Sequence, residues 1–112
     1  MGVVFAPILE GQVDNWKQWT AEIAGARKDD FTDLNRRHGL TRHAAWLTET
    51  PDGQAVIAYH EGPGSDDFLQ KIAASDHPVD LWFRDKIKAI HGLDLTQPPP
   101  GPLPELYIDT GN

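Results

Sequence analysis

Residues 42–61 read RHAAWLTETPDGQAVIAYHE, two apolar runs separated by Thr50-Pro51-Asp52-Gly53-Gln54. In such a segment proline presets the first turn position, aspartate closes the turn through its side chain, and glycine takes a positive φ. The two runs therefore predict strands, from Arg42 to Thr50 and from Gln54 to Glu61, that pair as an antiparallel hairpin.

The register of this hairpin decides which of its side chains lie together. With Pro51-Asp52-Gly53 as the loop, Thr50 lies opposite Gln54, and a slip of one residue would exchange the neighbours of every side chain. In this register one face contains Ala44, Trp46, Thr48, Val56, Ala58 and His60. The other face contains Ala45, Leu47, Ala55, Ile57 and Tyr59, with His43 and Glu61 at its end. Because the second set is more uniformly apolar, we expect it to face the helices.

The sequence before the hairpin predicts one strand and one helical region. The run from Val3 to Leu9 is apolar and short, which is typical of a strand. Asp14 or Asn15 can cap a helix whose apolar residues recur at helical spacing. We expect a break near Gly25 or Asp29-Asp30, and an end at Arg36-Arg37-His38-Gly39.

The sequence after the hairpin predicts a second helical region and a last strand. The region runs from Ser65 to about Ala74, restarts with Asp76 as the cap and Pro78 in the first turn, and ends at Gly92. Residues 96–104 are a proline-rich connection, and residues 105–109 (ELYID) are typical of a short strand. The order β-α-β-β-α-β predicts a single α+β domain over residues 1–112, a ferredoxin-like fold with a four-stranded antiparallel sheet.

The predicted strands are apolar on both faces. VVFAPIL, HAAWL and AVIAY offer no polar side to water, yet helices on one side of a sheet cover only one face. We therefore expect a second copy of the chain to cover the other face in a homodimer.

In these features the chain resembles the dimeric α/β-barrel superfamily and a group of small bacterial proteins within it. The segments that carry the resemblance are WLTETPDG, YHEGPGSDDF, SDHPVDLWFRDKIKAIHGLDL and PPPGPLPELYID. The superfamily includes antibiotic-biosynthesis monooxygenases, which need neither metal nor flavin, polyketide cyclases, muconolactone isomerases, haem-binding members and proteins without known activity. The resemblance implies two subunits stacked sheet to sheet, with a pocket between sheet and helices or within the barrel. It supplies no shared catalytic motif.

Composition excludes several other classes of function. The formal net charge of −7 disfavours nucleic acid and anionic membranes as partners, and the absence of cysteine excludes disulfides and thiolate chemistry. The longest apolar runs are far shorter than the roughly 18 residues of a membrane span, and the amino terminus lacks the pattern of a signal peptide. We expect a cytoplasmic protein.

His60 is the candidate catalytic residue, because an imidazole both donates and accepts protons near neutral pH. The other interpretation is a structural histidine that is simply hydrogen-bonded. Trp46, Tyr59, Trp82 and Thr48 are the candidate substrate-binding residues, although a tryptophan on a sheet is also a normal core residue.

Metal and cofactor sites have little support. The five histidines form none of the HxH, HxxxH or HExxH patterns, and the acidic residues around Gly62-Pro63-Gly64 match no calcium loop. A haem would need an axial ligand such as His60 or His77, and nothing selects either. We expect no metal and no cofactor.

The sequence thus predicts a homodimer that binds a small apolar or aromatic molecule. The resemblance suggests cofactor-independent oxygenation, cyclisation or isomerisation of an aromatic or polyketide-like substrate. The alternative is a non-catalytic ligand-binding or stress-associated dimer.

Overall fold

In a computed structural model of the chain, which describes residues 2–98 and 104–111, helices pack against one face of a three-stranded antiparallel sheet. The α+β class is therefore confirmed. The strands, β1 (Gly2–Pro7), β2 (Arg42–Thr50) and β3 (Gly53–Glu61), lie in the order β1-β3-β2. The helices are α1 (Val13–Ala24), α2 (Lys28–Arg37), α3 (Phe68–Ala74) and α4 (Pro78–His91).

The predicted fourth strand is not formed. Residues 104–111 have no strand structure, and Leu106, Tyr107 and Ile108 are 66%, 88% and 82% exposed. A strand needs a neighbouring edge for its backbone hydrogen bonds, and this segment pairs with none of the three strands. Residues 99–103 of the predicted proline-rich connection lie outside the described residues.

Glycines set the helix boundaries where the sequence places them. α1 ends at Ala24 with Gly25 as its C-cap, which confirms the predicted break in the first helical region. Gly39, just beyond α2, has a φ of 72°, and Gly92 caps α4 with a φ of 70°. Both values lie in the left-handed region that glycine adopts without steric cost. The cap at the start of α4 is not Asp76 but His77, whose Nδ1 accepts from the Val79 N–H at 3.2 Å.

The predicted hairpin register is wrong by one residue. Thr50 pairs with Gly53, so the loop consists of Pro51 and Asp52 alone. The Thr50 hydroxyl closes this loop, since it donates to the Gly53 carbonyl at 2.8 Å and accepts from the Asp52 N–H at 3.2 Å. Because side chains alternate between the faces of a strand, the slip changes which residues of the two strands share a face.

The new register assigns the two faces of the hairpin as follows. The face toward the helices contains His43, Ala45, Leu47, Val56, Ala58 and His60. The opposite face, which we call the open face, contains Ala44, Trp46, Thr48, Ala55, Ile57 and Tyr59 from the hairpin and Val3, Phe5 and Pro7 from β1.

The main hydrophobic cluster lies between the helices and the helix-facing side of the sheet. Its members are buried to at least nine-tenths and come from every helix: Trp19, Leu34, Leu40, Phe68, Ile72, Phe83 and Ile90. Burial of such side chains stabilises each by about 1.5–3 kcal/mol relative to exposure. Two of its members contact the sheet: Phe68 and Phe83 lie against His43 on β2, and Phe68 also lies against His60 on β3.

A buried carboxylate joins α2 to α4 beside this cluster. Asp80 is fully buried and accepts from both terminal nitrogens of Arg37, at 2.8 and 3.1 Å, from Ser75 Oγ at 2.6 Å, and lies 2.8 Å from His38 Nε2. Burial alone would raise the pKa of Asp80, but the hydrogen bonds from Arg37, Ser75 and His38 hold it well below the usual range of a carboxyl group. The polar groups of this cluster satisfy one another, which is typical of a structural network.

Candidate functional site

A cavity of about 270 Å³ lies between the sheet and the helices. This volume is near the lower end of the roughly 300–1,000 Å³ of small-molecule pockets. Aromatic and aliphatic side chains form most of its wall, and no Lys, Arg, Asp or Glu lines it among the described residues. The residues that matter for its chemistry are Trp16, Trp19, Phe31, Phe83, His43 and His60.

His60 lies on β3 at the wall of this cavity. Its residue exposure is 3%, and its ring forms no hydrogen bond to any other described residue. Phe68 lies against it with ring centroids 4.7 Å apart. A buried polar group without a partner is uncommon, because most such groups are satisfied by protein or by ordered water. The sequence predicts His60 on the face away from the helices, and this is wrong, because the observed register places it on the helix side of the sheet.

His43 is the cross-strand partner of His60. The two residues are paired between β2 and β3, and their ring centroids are 4.6 Å apart at an interplanar angle of 83°. Asn35, on α2, lies behind His43, with its Oδ1 2.9 Å from His43 Nδ1. An amide oxygen only accepts, so this contact corresponds to the tautomer with the ring hydrogen on Nδ1.

Both imidazoles are neutral at physiological pH. Burial lowers the pKa of His43 to about 3, with a smaller contribution from neighbouring His60. Burial likewise lowers the pKa of His60 to about 4. Protonation of either ring would place a charge in a cavity that no acidic side chain lines among the described residues, so the charged form is disfavoured. The pair therefore offers lone pairs and N–H groups rather than positive charge.

Trp19, on α1, supplies another polar atom near the cavity. Its Nε1 is the one fully enclosed side-chain nitrogen or oxygen without a hydrogen-bond partner in residues 2–98 and 104–111. The ring nitrogens of His60 and Nε2 of His43 form no hydrogen bond with the described residues, and both histidines line the cavity.

The predicted substrate-binding residues lie elsewhere. Trp46, Thr48 and Tyr59 are on the open face, so the sheet separates them from His60. Trp46 is 50% exposed, and the Tyr59 hydroxyl donates to Glu61 Oε2 at 2.8 Å. The prediction that Trp46 and His60 share a face is wrong because it depended on the three-residue loop.

Trp82 does not line the cavity. Its ring packs edge-on against Trp19, with centroids 6.1 Å apart, and the Arg27 guanidinium lies 3.9 Å from its ring centroid. A cation over an indole face is a favourable contact. Trp82 therefore supports Trp19 from behind, where it can affect the shape of the cavity only indirectly.

Sequence reasoning missed His43 and Asn35 as site residues. The three-residue loop predicts His43 on the opposite side of the sheet from His60, and a polar residue within an amphipathic helix, such as Asn35, has no distinctive signal. The helical spacing did contain a clue: Phe31 and Asn35 are four residues apart, on one side of α2, and both contact His43.

Within the described residues, no group of three or more His, Asp or Glu side chains is arranged to hold a metal ion. None of the helices there is long and apolar enough to cross a membrane. No family model matches the chain, and neither the curated proteins nor the solved structures give a match.

Proposed function

We propose that the cavity between the sheet and the helices binds a small, mainly apolar or aromatic molecule, and that His60 exchanges a proton with it. The observation that supports this most directly is the position of His60: 3% exposed, at the cavity wall, and without a hydrogen bond to the described residues. A structural histidine in the core would have its ring nitrogens satisfied.

The electrostatics of the cavity favour a particular kind of chemistry. A neutral imidazole can accept a proton from a hydroxyl or from a carbon next to a carbonyl group. The resulting imidazolium would have no protein counter-ion, because no acidic side chain lines the cavity among the described residues. The substrate anion formed in the same step would have to compensate the charge, so His60 would return the proton within the same cycle.

This requirement agrees with isomerisation or cyclisation that begins with deprotonation, and with oxygenation in which dioxygen is the oxidant and water the second product, each without a cofactor. These are the reactions that the resemblance to the dimeric α/β-barrel superfamily implies. The alternative is a protein that binds the same kind of molecule without changing it. Under that alternative His60 provides only a hydrogen bond.

Substitutions on the two faces of the sheet test whether the cavity is the binding site. Ala58→Leu places a larger side chain in the cavity, since Ala58 lines it on β3. Thr48→Leu makes a comparable change on the open face of β2. Against a panel of uncharged aromatic molecules, measured by Trp fluorescence and calorimetry, we expect Ala58→Leu to lose the binding that Thr48→Leu retains. Equal binding by both variants would place the ligand elsewhere.

His60→Gln separates the enzyme from the binding protein. Once a bound molecule is identified by mass spectrometry of the purified protein, turnover is measured for the wild type and for His60→Gln. Loss of turnover with retained binding supports proton transfer by His60. Unchanged turnover removes that role, and a wild type that binds without turnover supports the non-catalytic alternative.

We also propose that two copies of the chain associate through their open faces. Val3, Phe5 and Trp46 on this face are 40%, 48% and 50% exposed, and a two-fold contact would cover the same set of side chains twice. Exposed apolar surface of this kind is typical of an interface between proteins.

The dimer would also explain the apolar segment at residues 106–108. The order β1-β3-β2 leaves the outer edge of β1 unpaired among the described strands, and a strand there would complete a four-stranded ferredoxin-like sheet. We propose that residues 105–109 become a strand in the dimer. Analytical ultracentrifugation tests the association: a mass near 25 kDa, twice the chain mass of 12.5 kDa, supports it, and a 12.5 kDa particle at micromolar concentration excludes it.

A further inference from the structure

The orientation of His43 is fixed by contacts on several sides. Phe31 and Phe68 lie against the ring, with centroid distances of 4.9 and 5.4 Å, and His60 lies at 4.6 Å. Asn35 holds Nδ1 from behind at 2.9 Å. An imidazole packed in this way does not rotate freely, so the direction of its second nitrogen is fixed as well.

The tautomer of His43 follows from the bond to Asn35. In neutral imidazole only one nitrogen has a hydrogen, and with Asn35 Oδ1 directed at the ring that nitrogen is Nδ1, because an amide oxygen only accepts. Nε2 therefore has a lone pair and no hydrogen. It forms no hydrogen bond with any other residue in the described part of the chain, and His43 lines the cavity.

The acceptor Nε2 of His43, in an otherwise apolar cavity wall, favours some classes of ligand over others. A ketone, an ether or a hydrocarbon has no hydrogen to donate, so each would bury Nε2 without a partner. A carboxylate or phosphate would bring a negative charge into a cavity that no Lys or Arg lines among the described residues. An uncharged ligand with a hydroxyl group satisfies Nε2 and adds no charge.

We propose that His43 determines the specificity of the cavity: its Nε2 accepts a hydrogen bond from a phenolic or enolic hydroxyl of the ligand, and Asn35 is the positioning residue that keeps Nε2 free of hydrogen. This inference rests on the proposed function, that the cavity binds a small apolar or aromatic molecule.

The ligand arm of the test uses two probes of the same shape. 1-Naphthol and 1-methylnaphthalene differ by a hydroxyl in place of a methyl group, and each is titrated into the wild type and into His43→Phe at pH 8. We expect the preference for 1-naphthol over 1-methylnaphthalene to fall at least tenfold in His43→Phe, which corresponds to about 1.4 kcal/mol. The affinity for 1-methylnaphthalene should stay within about threefold, because phenylalanine keeps the ring packing.

The protein arm of the test reads the tautomer without any ligand. In two-bond ¹H–¹⁵N spectra of labelled protein at pH 8, we expect Nδ1 of His43 to resonate as a protonated nitrogen and Nε2 as an unprotonated one. Asn35→Leu should give a mixture of tautomers and a reduced preference for 1-naphthol. Asn35→Asp, whose carboxylate also accepts from Nδ1, should restore both.

The outcomes separate this inference from the proposed function. If neither probe binds the wild type, the proposed binding cavity is excluded, and the inference with it. If both probes bind but His43→Phe leaves the preference for 1-naphthol unchanged, the inference alone is overturned. A hydrogen on Nε2 in the free protein overturns it as well, even if His43→Phe fails to fold.

Discussion

His43 and His60 are directly paired across β2 and β3, and their rings meet edge to face at 4.6 Å on the side of the sheet that faces the helices. Phe68 contacts both rings, at 5.4 Å from His43 and 4.7 Å from His60. Two titratable groups so close together in an apolar environment affect each other's protonation and the stability of the fold.

The free energy of unfolding should fall as the pH is lowered from about 6.5 toward 4. In the unfolded chain both histidines bind protons near their usual pKa of 6.5, whereas in the folded chain burial lowers the pKa of His43 to about 3 and that of His60 to about 4. The unfolded state therefore binds more protons in this interval, and each histidine lowers stability by up to about 1.4 kcal/mol per pH unit. Urea unfolding at pH 7.5, 6.5, 5.5 and 4.5 measures the slope.

Glutamine substitutions identify the groups responsible for that slope. His43→Gln and His60→Gln should each reduce it, and the double variant should reduce it most, because glutamine does not titrate. The interval from pH 6.5 to 5 is the most informative, since most carboxyl groups titrate below it. A double variant with the full wild-type slope would show that other groups cause the pH dependence.

Asp80→Asn should destabilise the fold by about 3 kcal/mol. The substitution removes the carboxylate that pairs with Arg37, His38 and Ser75, and hydrogen bonds to charged groups contribute about 1.5–3 kcal/mol each when they are lost. Arg37 keeps Asp33 as a second partner at 2.7 Å, which limits the loss. Since the pKa of Asp80 is lowered, its contribution is present at every pH above about 3.8 and is lost only as the pH falls below that value.

The matched control for Asp80→Asn is Asp85→Asn, on the exposed side of the same helix. Its effect on stability should stay within about 0.5 kcal/mol, as for most surface substitutions. Chemical denaturation at pH 7 compares the two. Similar stability for both variants would mean that the Asp80 network does not hold α2 against α4.

The order of the elements up to α4 and the ends of the helices could be predicted because they depend on local chemistry. The helix starts were predicted less well, since the N-cap of α1 is Gln12 instead of Asp14 or Asn15, and that of α4 is His77 instead of Asp76. Gly25, Gly39 and Gly92 end helices where the sequence indicates, for reasons that involve only a few neighbouring residues. The presence of the hairpin could be predicted equally well. Its register was not, because Thr50-Pro51-Asp52-Gly53 allows loops of either two or three residues, and a difference of one residue exchanges the faces.

The candidate site could be predicted only in part for the same reason. His60 is a histidine in an otherwise apolar strand, and this pattern can be recognised in the sequence alone. The residues around it cannot be predicted from local sequence. His43 lies beside His60 only in the observed strand register, and Asn35 contacts His43 only because of how α2 packs over β2. The alternating pattern of residues 105–109 predicts a strand, but strand formation also depends on an available edge, which is not a local property.

Ile72→Ala should destabilise the fold by about 2–5 kcal/mol. Ile72 lies on α3, is fully buried, and belongs to the main hydrophobic cluster, so the substitution removes apolar contacts and leaves a cavity. Gln70→Ala on the same helix is exposed, and its effect should stay within about 0.5 kcal/mol. Thermal and urea unfolding of the two variants measure the difference. A loss below 1 kcal/mol for Ile72→Ala would indicate that α3 packs more loosely against the other helices.

Trp46→Lys should dissociate the proposed dimer while leaving the fold of each chain intact. Trp46 is half exposed on the open face, midway along the edge strand β2, so a lysine there costs a single chain little, but in the dimer it would bury a charge at the contact between the sheets. We expect the dissociation constant to rise at least 100-fold, about 2.7 kcal/mol, by sedimentation at several concentrations. Gln18→Lys adds the same charge on the exposed side of α1 and should leave the constant unchanged. If Trp46→Lys associates as strongly as Gln18→Lys, the two chains meet through another surface, and the exposure of Val3, Phe5 and Trp46 has a different cause.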